Sequence, residues 1–243
     1  MNEKVKPVVE EFSTWLKDIF SDDYTALVLY GSAVGNNYCE NRSDINLLII
    51  LENNNTDKLL KLGSSVKNLI RNHRISTVTM TRNEFVSSAD VFPLEYSDIL
   101  ENHTLIYGNS EILDITVSME NLRLQLEEKL RGAVSDIRNM LIAAEGNEKN
   151  LGKLILNWSS LGGVLLRGLL RLKGINVTNL DSKTISSEVE KIYKVSLEVF
   201  SVLSRLRLDN VANTHAAATL VDALLDTLSS LVNEVDLIKG NVS

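Results

Sequence analysis

The chain has 243 residues, of which 44% are hydrophobic, and its 25 Lys and Arg stand against 32 Asp and Glu for a net charge of −7. The apolar fraction excludes a disordered chain, because enough apolar surface is present to bury a core. The acidic balance argues against strong nucleic-acid binding, which relies on neutralising phosphates with Lys and Arg. The single cysteine, Cys39, cannot form an internal disulfide, and the N-terminus has no secretory-signal pattern. Both features predict a cytoplasmic protein.

The first half of the sequence alternates helix-like and strand-like segments. Apolar residues at spacings of three and four predict helices, and short, nearly continuous apolar runs predict buried strands. In chain order, the predictions are a helix over 4–20, strands over 25–30 and 44–51, a helix over 57–71, a strand over 74–81, a helix starting at Thr81, a turn at Pro93 before a short helical piece, and a strand over 103–107 closed by Gly108.

The second half contains almost nothing but helix-period patterns, and the composition changes near Met119. Short polar loops between the patterns favour an antiparallel four-helix bundle. The predicted helices cover 122–141, 151–169, 186–206 and 213–238. The most apolar stretch, 154–172, contains two arginines that would each cost about 2.5–3.5 kcal/mol in lipid. We therefore expect no membrane span, but a bundle helix that could also form a homodimer.

The most informative stretch is LYGSAVGNNYCENRSDINLLIIL, residues 29–51. Gly31 and Ser32 end one predicted strand, and eleven residues separate Ser32 from Asp44, which opens the next. Glycine lets a polyphosphate approach the backbone closely, and the serine hydroxyl can hydrogen-bond its oxygens. Gly-Ser could also be a simple turn, and Asp44 a turn residue, but the two flanking strands favour a phosphate site.

This motif resembles the signature of the nucleotidyltransferase superfamily, whose fold is that of DNA polymerase beta-like nucleotidyltransferases. The family pattern is a strand, Gly-Ser or Gly-Gly, a spacer of similar length, and Asp-x-Asp on the neighbouring strand. The layout, with a helical second half, is similar to aminoglycoside nucleotidyltransferases, and DVFPLEYSDILENHTLIYG, residues 90–108, looks like a group of bacterial predicted nucleotidyltransferases. The resemblance implies an α+β fold: a mixed sheet with flanking helices over 1–118, followed by an all-α four-helix bundle over 119–243.

The resemblance also implies site residues and a cofactor. Gly31 and Ser32 would bind the triphosphate of an NTP, and Asp44 would bind Mg²⁺. Asn46, with Asp44 one of two candidate catalytic residues, occupies the position of the second carboxylate. Its amide offers only one neutral oxygen to a hard cation, so it would orient rather than bind strongly. The third carboxylate would lie on the strand over 74–81, which contains no Asp or Glu. Glu95 and Asp98 are weaker candidates to replace the missing acids, since both lie on one face if their segment is helical.

Two classes of function follow from this incomplete set of acids. An active enzyme would transfer a nucleoside monophosphate from Mg-NTP to a hydroxyl on a small molecule or a protein side chain. Alternatively, the chain is a catalytically silent nucleotide-binding or regulatory module, or half of a toxin–antitoxin pair, that acts through its helical bundle. Neither the acceptor nor the preferred base follows from the sequence.

Overall fold

A computed structural model describes residues 1–35, 43–147, 161–178, 180–208 and 217–240, together with Leu151 and Ile155. The chain divides into two compact units, Met1–Val117 and Ser118–Ser243. The first combines helices with one sheet and the second is helical in its described residues, as the predicted α+β class requires. Cys39 and parts of the helices predicted over 151–169 and 213–238 lie outside the described residues.

The first unit contains five α-helices and four strands among its described residues, and each predicted strand is present. The elements are α1 Lys6–Phe20, β1 Tyr24–Tyr30, β2 Ile45–Leu51, α2 Thr56–Ser65, α3 Lys67–His73, β3 Ile75–Thr81, α4 Arg82–Ser87, α5 Pro93–Glu101 and β4 His103–Tyr107. A 3-10 helix, Gly31–Val34, follows β1 directly.

The four strands form one mixed sheet in the order β3-β2-β1-β4. β1 runs antiparallel to both β2 and β4, whereas β2 and β3 are parallel. The parallel pair is possible because α2 and α3 provide the crossover that parallel neighbours need. The end of β1 therefore lies beside the beginnings of β2 and β4.

The two central strands, β1 and β2, are buried on both faces of the sheet, which explains why they are almost continuously apolar. On one face, Leu27, Leu47 and Ile49 pack with the apolar side chains of α1, α2 and α3. On the other face, the core consists of Ala26, Val28, Leu48 and Ile50 from the sheet and Phe85, Tyr96 and Ile99 from α4 and α5.

Two predictions for this unit need correction. The helix expected over 57–71 is two helices, α2 and α3, separated at Val66, which is buried. The sequence Gly63-Ser64-Ser65 weakens the helix there, and the Ser64 hydroxyl donates to the Lys61 carbonyl oxygen. Pro93 is the first residue of α5 rather than a separate turn, because its fixed φ and missing N–H suit that position.

Five α-helices of the second unit have bounds within the described residues, where the sequence predicted four helices. They are α6 Met119–Ala143, α7 Leu161–Leu172, α8 Ser182–Tyr193, α9 Glu198–Leu208 and α10 Ala217–Asp236. Leu151 and Ile155 are helical as well, and a 3-10 helix covers Leu237–Gly240. The single helix predicted over 186–206 is wrong: Lys194 adopts φ +55 and ends α8, and the Glu190 carboxylate accepts a hydrogen bond from the Leu197 N–H at 2.7 Å. Across the described ranges, no helix is both long enough and apolar enough to cross a membrane.

Candidate functional site

Gly31 forms a sharp turn where β1 ends. Its φ of +79° lies in the region that favours glycine. Asn102, the residue before β4, holds the turn twice: its carbonyl oxygen accepts from the Gly31 N–H at 3.1 Å, and its side-chain Nδ2 donates to the Gly31 carbonyl at 3.0 Å. Half-buried Ser32 follows directly. The Gly31–Ser32 turn is therefore held in one conformation at the end of β1.

Asn46 lies against this turn. It pairs with Tyr30 across β1 and β2, and a Cβ added to Gly31 would lie only 3.1 Å from the Asn46 Nδ2 atom. The structure thus brings Gly31 and Asn46 together across fifteen positions of sequence. Glycine at position 31 gives the amide of Asn46 the space that a side chain would take.

A row of polar side chains crosses the whole sheet at this end. Paired residues of neighbouring strands share a face, and the register aligns His103 of β4, Tyr30 of β1, Asn46 of β2 and Ser76 of β3. We call these four residues the polar row. By strand alternation they face the same side as the α4 and α5 core. The row ends at Ser76, which is exposed on edge strand β3.

Asp44 lies two residues before Asn46 and forms an ion pair. The Arg74 Nε donates to the Asp44 Oδ1 at 2.8 Å, with both side chains about half exposed. The pairing of Ile45 with Ile75 in the parallel ladder places these preceding residues side by side, and the Ile45 N–H donates to the Arg74 carbonyl oxygen. Asp44 therefore contacts a guanidinium rather than a second carboxylate.

The two weaker candidates, Glu95 and Asp98, lie on α5. Burial raises the pKa of the Tyr30 phenol, and the negative charges of Asp98 and Glu95 raise it further. Both carboxylates therefore lie on the α5 side of the sheet, within electrostatic range of Tyr30 in the polar row. Asp98 is half-buried and Glu95 is exposed.

The donor set does not fit the Mg²⁺ site with three carboxylates that the sequence resemblance implies. Mg²⁺ requires an octahedral shell of hard oxygen ligands, usually including carboxylates. Asp44 contacts Arg74, position 46 has an amide, and β3 contains no acid. Among the residues that the structure describes, no group of three His, Cys, Asp or Glu side chains could hold a metal ion.

The Asp44–Arg74 pair should contribute little to stability, because both side chains are half-exposed. In a double-mutant cycle of Asp44→Asn and Arg74→Gln, we expect a coupling energy of below about 1 kcal/mol. Urea denaturation followed by circular dichroism measures each free energy of unfolding. A coupling above about 2 kcal/mol would contradict this and would assign the pair a structural role.

Sequence reasoning missed Arg74, Asn102 and three members of the polar row: Tyr30, Ser76 and His103. Arg74 could have been found, because it stands directly before the strand that neighbours β2, as Asp44 stands directly before β2 itself. The polar row and the Asn102 contacts depend on strand register and sheet order, for which a single sequence carries no direct signal.

Comparison with known proteins identifies the fold. No protein-family model matches the sequence, and a search of curated proteins finds no match. Among solved structures, the chain is similar to the spectinomycin adenyltransferase AAD(9) from Enterococcus faecialis, solved with ATP and spectinomycin. The match has a TM-score of 0.54 at 11% sequence identity and covers 95% of this chain and 99% of that one. It confirms the predicted nucleotidyltransferase-like fold.

Proposed function

We propose that this chain, which has a nucleotidyltransferase-like fold, binds a nucleoside triphosphate at the Gly31–Ser32 turn. The observation that carries this proposal is the geometry of that turn: Gly31 has no side chain, its conformation is fixed by Asn102, and Ser32 supplies a hydroxyl at the end of β1. A phosphate can approach such a backbone closely. The similar adenyltransferase was solved with ATP, which supports the same ligand class here.

Hydrogen-bond donors for the phosphates would come from Arg74 in this proposal, because a guanidinium has five N–H groups and its contact with Asp44 uses the Nε donor. Its guanidinium neutralises Asp44, which stands two residues before the Asn46 amide that touches the turn. In a chain with a net charge of −7, this pairing cancels the negative charge of Asp44, which would otherwise repel an anionic ligand here. Asn46 and Ser76, both neutral, would not repel phosphate as the two missing carboxylates would.

Calorimetric titration of the full chain with ATP, GTP, CTP and UTP, each with Mg²⁺ and with EDTA, tests this function. Because the described residues contain no cluster of three or more His, Cys, Asp or Glu side chains that could hold a metal ion, we expect at least one NTP to bind with less than about threefold change in Kd between the two conditions. Arg74→Ala should weaken that binding by about tenfold, the effect of one lost charge-assisted contact.

Arg71→Ala is the matched control, because Arg71 is an exposed arginine on α3 that lies three residues before Arg74. We expect it to leave the Kd unchanged. Absence of binding by all four NTPs at millimolar concentration would contradict the proposal, as would equal losses in the two arginine variants. Binding that disappears in EDTA would instead assign Asp44 to a metal.

A second candidate function is transfer of a nucleoside monophosphate to a hydroxyl acceptor. What supports it is the position of Glu95 and Asp98 on α5, from which both negative charges raise the pKa of Tyr30 in the polar row, in addition to the larger effect of burial. In such a transfer the acceptor oxygen attacks the α-phosphorus, pyrophosphate leaves, and a carboxylate takes the hydroxyl proton. The acceptor would be a small hydroxylated molecule or a protein side chain.

Pyrophosphate release distinguishes transfer from binding alone. With the NTP that binds best and a panel of hydroxylated acceptors, an enzyme should release pyrophosphate and should lose at least about a hundredfold in rate in Asp98→Asn. Asp90→Asn, an exposed acid that precedes α5, is the control. Binding without release would favour the silent regulatory or toxin–antitoxin alternative, for which co-purification from the native host tests the partner.

Self-association belongs to the same proposal. A homodimer formed through the helical unit would give a molar mass of about 54 kDa, twice the 27.0 kDa of the chain. Size-exclusion chromatography with light scattering measures it, and a mass that stays at the monomer value across concentrations would contradict the dimer.

A further inference from the structure

A cavity lies in the second unit, bordered by α7, α8 and α9. Its volume is about 760 Å³, within the range of about 300–1,000 Å³ that small-molecule sites occupy. Its residues belong to the helical unit alone and include none of those at the Gly31–Ser32 turn. The interruption between α8 and α9, which the sequence did not predict, brings both helices to this cavity.

The inner wall of the cavity is apolar. Leu166 of α7, Ile185 of α8, Phe200 of α9, and Leu197, which precedes α9, line it and are all buried. Gly162, in the first turn of α7, adds to the wall because a Cβ there would come within 3.1 Å of the Phe200 Cδ1 atom. The phenyl ring therefore packs directly on the helix backbone, and the wall is built without polar side chains.

The rim of the cavity is cationic and rich in hydroxyls. Arg167, Lys183 and Arg205 each line it, one from each helix, against the single acid Glu190. One oxygen of the Glu190 carboxylate accepts a hydrogen bond from the Leu197 N–H. Five serines, which can donate hydrogen bonds, complete the rim: Ser182, Ser186, Ser187, Ser201 and Ser204.

We propose that this cavity binds a small organic anion, with a carboxylate or phosphate head group at the cationic rim and an apolar body against Leu166, Ile185 and Phe200. Three cations against one acid give a local charge of opposite sign to that of the whole chain. This arrangement attracts anions and disfavours cations of the same shape. The apolar wall would bind the apolar body of the ligand, because contact between them releases water from both surfaces.

A displacement titration with the full chain tests the proposal. The fluorescent probe is 8-anilinonaphthalene-1-sulfonate, which joins an anionic head to an aromatic body. Octanoate, octyl phosphate and octylammonium then compete with it at equal concentration. We expect the two anions to displace the probe and the cation to leave it bound, and the stronger of the two anions identifies the head group. Equal displacement by octylammonium and octanoate overturns the proposal.

Variants at exposed positions locate the binding. The double variant Lys183→Gln/Arg205→Gln should weaken binding of the probe by about tenfold, because it removes two of the three rim cations. Lys191→Gln is the matched control: it removes a cation from the same helix α8, but Lys191 is 73% exposed, pairs with Glu188, and does not line the cavity. Equal affinities in the double variant and the wild type overturn the proposal.

Ser187→Glu provides an independent test should the double variant not fold, since it adds one negative charge at an exposed rim position. We expect a threefold or greater loss of probe affinity at low ionic strength, of the size that one charge contact contributes. No loss in this variant contradicts the proposal. Because the cavity shares no residue with the Gly31–Ser32 turn, absence of NTP binding in the calorimetric titration leaves both results unaffected.

Discussion

Replacing Gly108 with alanine is expected to lower the free energy of unfolding by about 2–5 kcal/mol, the sum of backbone strain and overpacking. Gly108 follows β4 with φ +106°, a conformation that residues with a Cβ rarely adopt. An added Cβ would lie 2.6 Å from the Thr25 carbonyl oxygen and 2.8 Å from the Ala26 Cβ. Both atoms belong to β1, in the middle of the sheet, and neither can move as the end of a flexible side chain could.

Urea denaturation in a Trp158→Phe background measures this effect, because Trp15 of α1 then becomes the sole tryptophan and reports on the first unit. Gly63→Ala is the matched control. Gly63 lies within α2, and a Cβ there would meet no atom within 4 Å. We expect that control to raise stability by about 0.5–1 kcal/mol, since alanine is the better helix former. A loss below about 1 kcal/mol in Gly108→Ala would refute the strain argument.

Replacing Glu127 with alanine is expected to lower the free energy of unfolding by about 3–5 kcal/mol, because it leaves a buried guanidinium without its counter-charge. The Arg123 Nη1 donates to the Glu127 Oε2 at 2.8 Å, and only 6% of the Arg123 side chain is exposed. Arg131 contacts the other carboxylate oxygen at 2.8 Å, but it is half-exposed and also lies 3.7 Å from Asp236. Most of the loss is therefore assigned to Arg123.

Two further variants make this result specific. Glu128→Ala removes the neighbouring acid, which is exposed on the same helix, and should change stability by less than about 0.5 kcal/mol. In the double variant Arg123→Met/Glu127→Ala, the buried charge is gone as well, and we expect part of the stability to return. Chemical denaturation followed at 222 nm measures all three. Equal losses in Glu127→Ala and Glu128→Ala would contradict the prediction.

Strong local signals explain what the sequence predicted well. The apolar runs of β1 and β2 appear where the pattern indicated them, because few other environments accept so many consecutive buried residues. The strand closed by Gly108 also appears where it was predicted, although its residues are only partly buried. The interruptions at Val66 and Lys194 were missed because each side of them keeps a helical period. Their causes are a serine that bonds to the preceding turn and a single residue in the left-handed region, which periodicity does not show.

The candidate site was predictable to a similar, limited depth. The motif implied that Asn46 lies on the strand that neighbours the Gly31 turn. Antiparallel pairing of β1 and β2 then brings the end of one strand to the start of the next, which explains why Asn46 lies against Gly31. The ion-pair partner of Asp44 could not be predicted in the same way, because Arg74 is thirty residues away and becomes a neighbour only through the parallel pairing of β2 and β3. The polar row has the same origin: each member looks like an isolated polar residue until the register aligns it.

The two hydrogen bonds between Gly31 and Asn102 have a consequence for the order of folding. They join residues 71 positions apart, so the conformation of the turn is fixed only when β4 pairs with β1. Contacts of such long sequence separation form late, since the chain must lose the entropy of the intervening loop first. A nascent chain that has released only β1, β2 and β3 from the ribosome would carry the sheet without the fixed turn. If the chain binds an NTP at Gly31 as proposed, we therefore expect that binding to begin only after Asn102 and β4 have emerged during synthesis.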